Sequence, residues 1–311
     1  MVCVIGEALI DLVYQQSEPG GADSYLAHPG GSPFNVAIGL ARLGQPARLL
    51  ARLSGDAFGR QLRAHAERNQ LDLSLAVAAP EAATLAVVSL DDQRNATYDF
   101  YRTGTADWQW TAAELARVPS DADWVHTGSL ASWIEPGATA IANRLAELSG
   151  PVISFDPNIR PALLGDRATA TQHIERLVRL ATVVKASAED VEWLYPNRDV
   201  ASTLRRWHEL GPAVVVITDG GAGAQAIGAD AQPFAVPGRT VRVVDTVGAG
   251  DAFMAGLINA LQRSALLERG GRPAGAQLRP VIEEAILVAA LTVARAGANP
   301  PTAAELAAAA G

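Results

Sequence analysis

The chain has 311 residues, of which 49% are hydrophobic and 19% charged. That is enough to bury the core of one large α/β domain and too apolar for a disordered or fibrous protein. Acidic residues outnumber basic ones by 33 to 25, for a formal charge of -8, and no long Lys/Arg run occurs, which argues against nucleic acid as a partner. The single Cys3 has no mate for an internal disulfide, and the five histidines (His28, His65, His126, His173, His208) show no zinc-ligand spacing.

Taken in chain order, the start "MVCVIGEALIDLVYQQ" is interrupted by Glu7 and Asp11 before a signal-peptide core or membrane span could form. A soluble, cytoplasmic protein is expected, with no membrane partner. Core strands are expected at "VCVIGE", "ARLLARLS", "DWVHTG", "PVISFD", "TVVKAS" and "AVVVITDG". Helical spacing covers Pro33 to Leu43, Ala57 to Asn69, Glu135 to Leu148, Ala170 to Leu180 and Ala188 to Leu194. Strand-then-helix order without an internal repeat predicts an α/β fold with a doubly wound, mostly parallel sheet flanked by helices.

Residues 12–29 and 84–106 leave this rhythm, alternating like strands with a polar turn at Asp91-Asp92-Gln93 and no helix between them. They read as a small discontinuous β-sheet lid on a single domain spanning 1–311, with an edge hairpin as the alternative. In open α/β sheets ligands sit beyond the carboxyl ends of the strands. The segments to inspect are therefore Glu7 to Asp11, Gly30 to Asn35, Asp156 to Arg160, Lys185 to Asp190, Thr218 to Gly223 and Asp245 to Asp251.

No P-loop motif occurs. Gly221-Ala-Gly223-Ala-Gln-Ala226 follows a strand as a dinucleotide fingerprint should, but "AQAIGADAQPFAV" then reads as strand, turn, strand rather than as a helix. The stretch "DTVGAGDAF" (245–253) is more telling. Gly248, Ala249 and Gly250 lead into an apolar helical run, so their amides would face an anion at a helix N-terminus. Asp251 beside that anion either caps the helix or accepts a proton from an attacking hydroxyl. A phosphoryl group beside a base is a kinase arrangement.

"DTVGAGDAF" and "GGSPFNVAIGLARLG" (30–44) resemble the C-terminal and N-terminal signatures of the PfkB or ribokinase-like carbohydrate kinases, in the right order. The resemblance covers essentially the whole chain and implies a ribokinase-like fold. It also implies that Asp251 is the catalytic base, that Gly248 to Gly250 form the anion hole, and that Asp11, Gly31 and Asn35 meet sugar hydroxyls. "TDGGAGA" is similar to the family's nucleotide segment, which places Thr218, Gly220 and Gly223 near ATP. Lys185, Ser187 and Asp190 stand where many relatives carry Asn-x-x-Glu, a motif tied to magnesium and phosphate. Because Ser187 and Asp190 depart from that pattern, Mg2+ is expected largely on ATP phosphates and water. Asp245 and the Val247 carbonyl match positions that hold a monovalent cation such as K+ in relatives, with a turn-capping carboxylate as the alternative for Asp245.

"GEALIDL", "DPNIRPALL" and "YDFYRTGTAD" resemble fructokinases and 2-keto-3-deoxygluconate kinases more than adenosine kinases. This puts Tyr101, Arg102 and Arg160 near the acceptor; an arginine there would suit a hydroxyl, a carboxylate or a phosphate equally. The expectation is an ATP-dependent kinase of a small-molecule sugar, most like a fructokinase, with a homodimer allowed. Alternatives are a 2-keto-3-deoxygluconate or aminoimidazole riboside kinase, or a catalytically silent sugar-binding member of the fold.

Overall fold

The computed structural model describes residues 1–15, 22–90 and 96–310. The chain opens with β1 (Val2–Ile5), buried throughout, as a parallel strand covered on both faces must be. It continues through β2 (Leu9–Gln15), β3 (Ser24–Gly30), α1 (Ser32–Arg42), β4 (Ala47–Leu50), β5 (Arg52–Ser54), α2 (Ala57–Arg68), β6 (Val77–Ala79), β7 (Leu85–Leu90) and β8 (Ala96–Tyr101). Next come α3 (Ala112–Leu115), β9 (Trp124–Gly128), α4 (Gly137–Glu147), β10 (Val152–Asp156), α5 (Pro161–Leu164), α6 (Arg167–Leu180), β11 (Val183–Ser187) and α7 (Ala188–Leu194). The last elements are α8 (Val200–Glu209), β12 (Val214–Thr218), β13 (Gly223–Ile227), β14 (Phe234–Pro237), α9 (Ala249–Arg263), α10 (Gly275–Val293) and α11 (Ala303–Ala310).

Eight strands form the main sheet in the order β14-β13-β12-β11-β10-β9-β1-β4. From β4 to β12 the neighbours are parallel, and β13 and β14 are added antiparallel. The antiparallel pair is the strand-turn-strand that replaces a Rossmann helix. Chain order reverses at β1, with β4 on one side and β9 on the other, so a crevice opens above its carboxyl end. One face is covered by α1, α2, α9 and α10 through Phe34, Leu40, Leu62, Leu257 and Ile282. The other is covered by α4, α6 and α8 through Ile141, Leu145, Ile174, Leu177 and Trp207. The chain is thus a ribokinase-like α/β fold.

Several helices begin on an aspartate whose side chain accepts from the third helical amide, as Asp56 does from Gly59 and Asp199 from Ser202. In contrast, α1 and α9 start on Gly31 and Gly248 with no side-chain cap. Both lie at the carboxyl edge of the sheet.

The lid is a four-stranded sheet in the order β3-β2-β7-β8, two antiparallel pairs joined by parallel β2 and β7. Asp91-Asp92-Gln93 lies outside the described residues. At the root of the lid, Asp107 accepts from the Ala8 amide at 2.9 Å, and the hydroxyls of Thr84 and Thr105 lie 2.6 Å apart. "ARLLARLS" is not one strand. β4 joins the main sheet, whereas β5 pairs with β6, because the buried Arg52 guanidinium is held by the Ala106 carbonyl, Glu81 and Glu114. Among the described residues, no helix is long and apolar enough to cross a membrane.

Candidate active site

The two uncapped helix starts meet. Gly31 has φ 104°, and a Cβ there would come within 2.7 Å of the Glu7 carbonyl, so only glycine lets α1 start against the end of β1. At α9, Gly248 is left-handed at φ 74°, which turns the chain into the helix and brings Asp251 into its first turn. Asp251 is therefore inside α9 rather than at its cap. One of its oxygens accepts from Ser32 Oγ at 2.6 Å and the other from Asn35 Nδ2 at 2.8 Å. The approach of the two helices is close because Gly39 of α1 packs on Ala255 of α9. The Ala249 amide is used by the Thr246 carbonyl at 3.2 Å. Among the described residues, the Gly248, Gly250 and Asp251 amides have no such acceptor.

Beneath this turn lies Lys185, its ammonium 2.8 Å from Asp156. Burial works against the ammonium, but Asp156, with Asp190 and Asp251 further off, outweighs it and holds the lysine charged, above its ordinary value.

Asp11 rises from β2 over the main sheet, and a side chain at Gly30 would run into its carboxylate. Burial raises the Asp11 carboxyl to about 6, opposed by the Arg160 guanidinium and assisted by Asp251. Arg160 precedes α5 and donates to the Asn158 side chain at 2.8 Å. Arg102 is half-buried at the end of β8; among the described residues its guanidinium has no hydrogen-bond or ion-pair partner. Tyr101 does not join this group. Direct pairing of Ile10 with Leu85 and of Leu85 with Tyr101 puts Tyr101 on the Ile10 face, opposite Asp11. There it is 64% exposed beside an apolar groove of about 320 Å³ lined by Leu12, Tyr25, Leu85 and Val87.

On the far side of the crevice, Thr218 ends β12, and Gly220 and Gly223 form the corner into β13. The Gly220 corner is open, with no atom within 4 Å of where a Cβ would stand. Ser187 and Asp190 form a capping box that starts α7. Asp190 accepts from the Ser187 amide at 2.8 Å and the Ile159 amide at 2.7 Å, so both of its oxygens have backbone partners. Asp245 accepts from the Val247 amide at 3.0 Å and from the Gly297 amide at 2.8 Å. It joins the loop before α9 to the loop after α10, where Gly248 also packs against Ala298.

Two residues of the site are given no role by the motifs that contain them. Ser32 stands between Gly31 and Asn35, where its position in the first turn of α1 was the available signal. Asp156 ends a predicted strand, and its partner across the sheet depends on register.

A ribokinase-like sheet with a lid over two uncapped helix starts, one carrying a carboxylate, defines a sugar-kinase architecture. Residues 1–305 match the pfkB family of carbohydrate kinases, and the chain belongs to that family. It is 35% identical over 270 residues to a fructokinase of Rhizobium leguminosarum bv. trifolii, covering 86% of this chain and 82% of the relative. Among solved structures, a double mutant of the Vibrio cholerae O395 fructokinase, bound to fructose, ADP and potassium ion, superposes with a TM-score of 0.81 at 28% identity, covering 99% of this chain and 96% of that one. The aminoimidazole riboside kinase of Salmonella enterica, complexed with aminoimidazole riboside and an ATP analogue, superposes at 0.83 with 27% identity, covering 100% and 99%.

Proposed function

We propose that this carbohydrate kinase is a fructokinase, transferring the γ-phosphoryl group of ATP to a primary hydroxyl of fructose. The observation that carries the reading is Asp251, oriented by Ser32 and Asn35 in the first turn of α9 beside open backbone amides. Asp251 takes the hydroxyl proton, and the open amides of Gly248, Gly250 and Asp251 receive the phosphoryl oxygens, the Ala249 amide being held by the Thr246 carbonyl; positioning and charge are most of what such a transfer needs. Donation from Ser32 and Asn35 fixes the carboxylate so that it meets one hydroxyl and not water at large.

Asp11, Gly31 and Asn35 hold the sugar, with Arg102 and Arg160 donating to its oxygens from the lid and the sheet. Tyr101, on the opposite face of the lid from Asp11, is left out of this set. ATP lies across Thr218, Gly220 and Gly223, its phosphates pointing to Lys185. Ser187 and Asp190 support this floor through the capping box. Magnesium is carried largely on the ATP phosphates and water, in keeping with its reluctance to shed its hydration shell. Asp245, whose carboxylate ties together two loops, and the carbonyl of Val247 two residues on would give potassium the oxygen ligands it takes. Its presence would brace the turn at Gly248.

The similar fructokinases support the fructose assignment, and the similarity to a riboside kinase makes aminoimidazole riboside the second acceptor to test. ATP consumption with magnesium and potassium is measured against fructose, ribose, 2-keto-3-deoxygluconate, aminoimidazole riboside and adenosine. Fructose is expected to give the highest kcat/KM. A chain that folds but consumes ATP with none of these acceptors would be a silent sugar-binding member.

A further inference from the structure

Lys185 is the sole lysine of the chain, every other one of the 25 basic residues being arginine. It is also among the most buried charges, 4% exposed, and its partner Asp156 is 1% exposed. Strand alternation explains how they meet. His126, Ser154 and Val183 pair directly across β9, β10 and β11, so Asp156 and Lys185, each two residues further along, emerge on the same face nearer the carboxyl edge. That face is the one covered by α9. The interior part of the stripe is neutral: Ser154 accepts from Trp124 Nε1 at 2.8 Å and lies 3.0 Å from His126 Nδ1. Burial, with Lys185 nearby, lowers the His126 imidazole to about 3.

The charged end of the stripe abuts the start of α9. A Cβ built on Gly250 would stand 3.0 Å from Lys185 Nζ, so the ammonium occupies space that any other residue at 250 would claim. Asp156 is itself oriented, since its second oxygen accepts from the Asn158 amide at 3.2 Å. Burying such a pair is costly and is seldom a net gain in stability over apolar residues of the same size. Its location at the positive end of a helix points to a role in receiving negative charge.

We propose that Asp156 is a positioning residue that holds the Lys185 ammonium under Gly250, where it meets the phosphate chain of the nucleotide during transfer. This rests on the kinase reading above. In the transfer, the bond from the γ-phosphorus to the ADP oxygen breaks with its electron pair passing to ADP, the bond to the sugar oxygen forms, and the hydroxyl proton passes to Asp251. The lysine stabilises the charge that gathers on the phosphate oxygens. An ammonium fits the space under Gly250, whereas a planar guanidinium is larger and needs a forked partner, in keeping with the lone lysine among arginines.

Two measurements test it. The first is a kinetic cycle of Lys185→Met, Lys185→Arg, Asp156→Asn and the double variant Asp156→Asn/Lys185→Met, which removes both buried charges and so leaves neither unpaired. Lys185→Met is expected to lower kcat roughly a hundredfold with the KM for fructose within about threefold. Lys185→Arg should not restore it, Asp156→Asn should lower kcat about tenfold, and the double variant should be no slower than Lys185→Met, because Asp156 acts only through the lysine. Wild-type kcat in Asp156→Asn, or losses that multiply in the double variant, overturns the proposal. The second needs no turnover. Protein grown on 13Cε-lysine carries one labelled side chain, whose resonance should shift on adding ADP with magnesium and should already differ in free Asp156→Asn. A resonance unmoved by ADP sinks the proposal, while a shift in a protein that phosphorylates no sugar would retire the kinase reading and keep the phosphate site.

Discussion

Asp251 and Asn35 stand 216 positions apart in sequence and are joined by a 2.8 Å hydrogen bond from the Asn35 amide to the Asp251 carboxylate. The bond ties the first turn of α1 to the first turn of α9 and orients the oxygen proposed as the base. Asp251→Asn keeps the shape and removes proton acceptance. It is expected to lower kcat on the order of 10²–10⁴-fold with sugar affinity within a few-fold. Ser32→Ala, which removes one donor to a charged acceptor, should lower kcat roughly tenfold. Near wild-type turnover in Asp251→Asn would remove Asp251 from the mechanism.

What could be read ahead of the structure was local. The glycine-rich starts of α1 and α9 are short-range patterns, so both helices were legible from "GGSPFN" and "DTVGAGDAF", whereas the bonds from Ser32 and Asn35 to Asp251, more than 200 positions away, were not. Ser187 and Asp190 follow the capping-box spacing, a local signal that competed with the family's nucleotide motif at the same place. Contacts that depend on strand register were not legible. The pairing of Asp156 with Lys185 is fixed only when β10 lies beside β11, and the face occupied by Tyr101 only when β7 lies beside β2. "ARLLARLS" looked continuous because nothing nearby shows that Arg52 finds Glu81 and Glu114.

Asp245 bridges two loops through the Val247 and Gly297 amides. If potassium binds there, activity should rise several-fold when potassium replaces a bulky organic cation at equal ionic strength. Asp245→Ala should abolish that response. Equal rates in both salts would leave Asp245 as a turn-capping residue.

Glu7 is 1% exposed at the end of β1 and accepts from the Ala131 amide at 3.0 Å. Burial pushes its carboxyl up to about 7, against that hydrogen bond and with help from Asp107. The native state therefore holds this proton more tightly than the unfolded chain does. Stability from Glu7 is fully present below the ordinary carboxylate range and is lost as pH rises through about 7. Glu7→Gln keeps an oxygen for the Ala131 amide and has no charge to bury. Denaturant unfolding at pH 8 should find it more stable than wild type by at most about 3 kcal/mol, with the gain gone at pH 4. A gain independent of pH would mean that Glu7 does not titrate in this range.

Arg102 and Arg160 separate the acceptors. Fructose is neutral, so these guanidinium groups would serve it as hydrogen-bond donors, and a glutamine at either position keeps part of that donation. A keto-acid sugar carries a carboxylate, and losing a charge-assisted bond to it costs roughly 1.5–3 kcal/mol, or about 10- to 150-fold in kcat/KM. Arg160 also acts on Asp11, whose carboxyl it holds down against burial. Its loss should let burial raise that carboxyl further, so through this route sugar binding weakens most just above about pH 6, where wild-type Asp11 has given up its proton and the variant has not. Arg102 has no such partner among the described residues, and Arg102→Gln is the cleaner variant. With fructose, kcat/KM for Arg102→Gln should fall less than about tenfold. If 2-keto-3-deoxygluconate is the better wild-type substrate and both Arg102→Gln and Arg160→Gln cripple its use, the acceptor is a keto acid and the chain is a kinase of a different sugar.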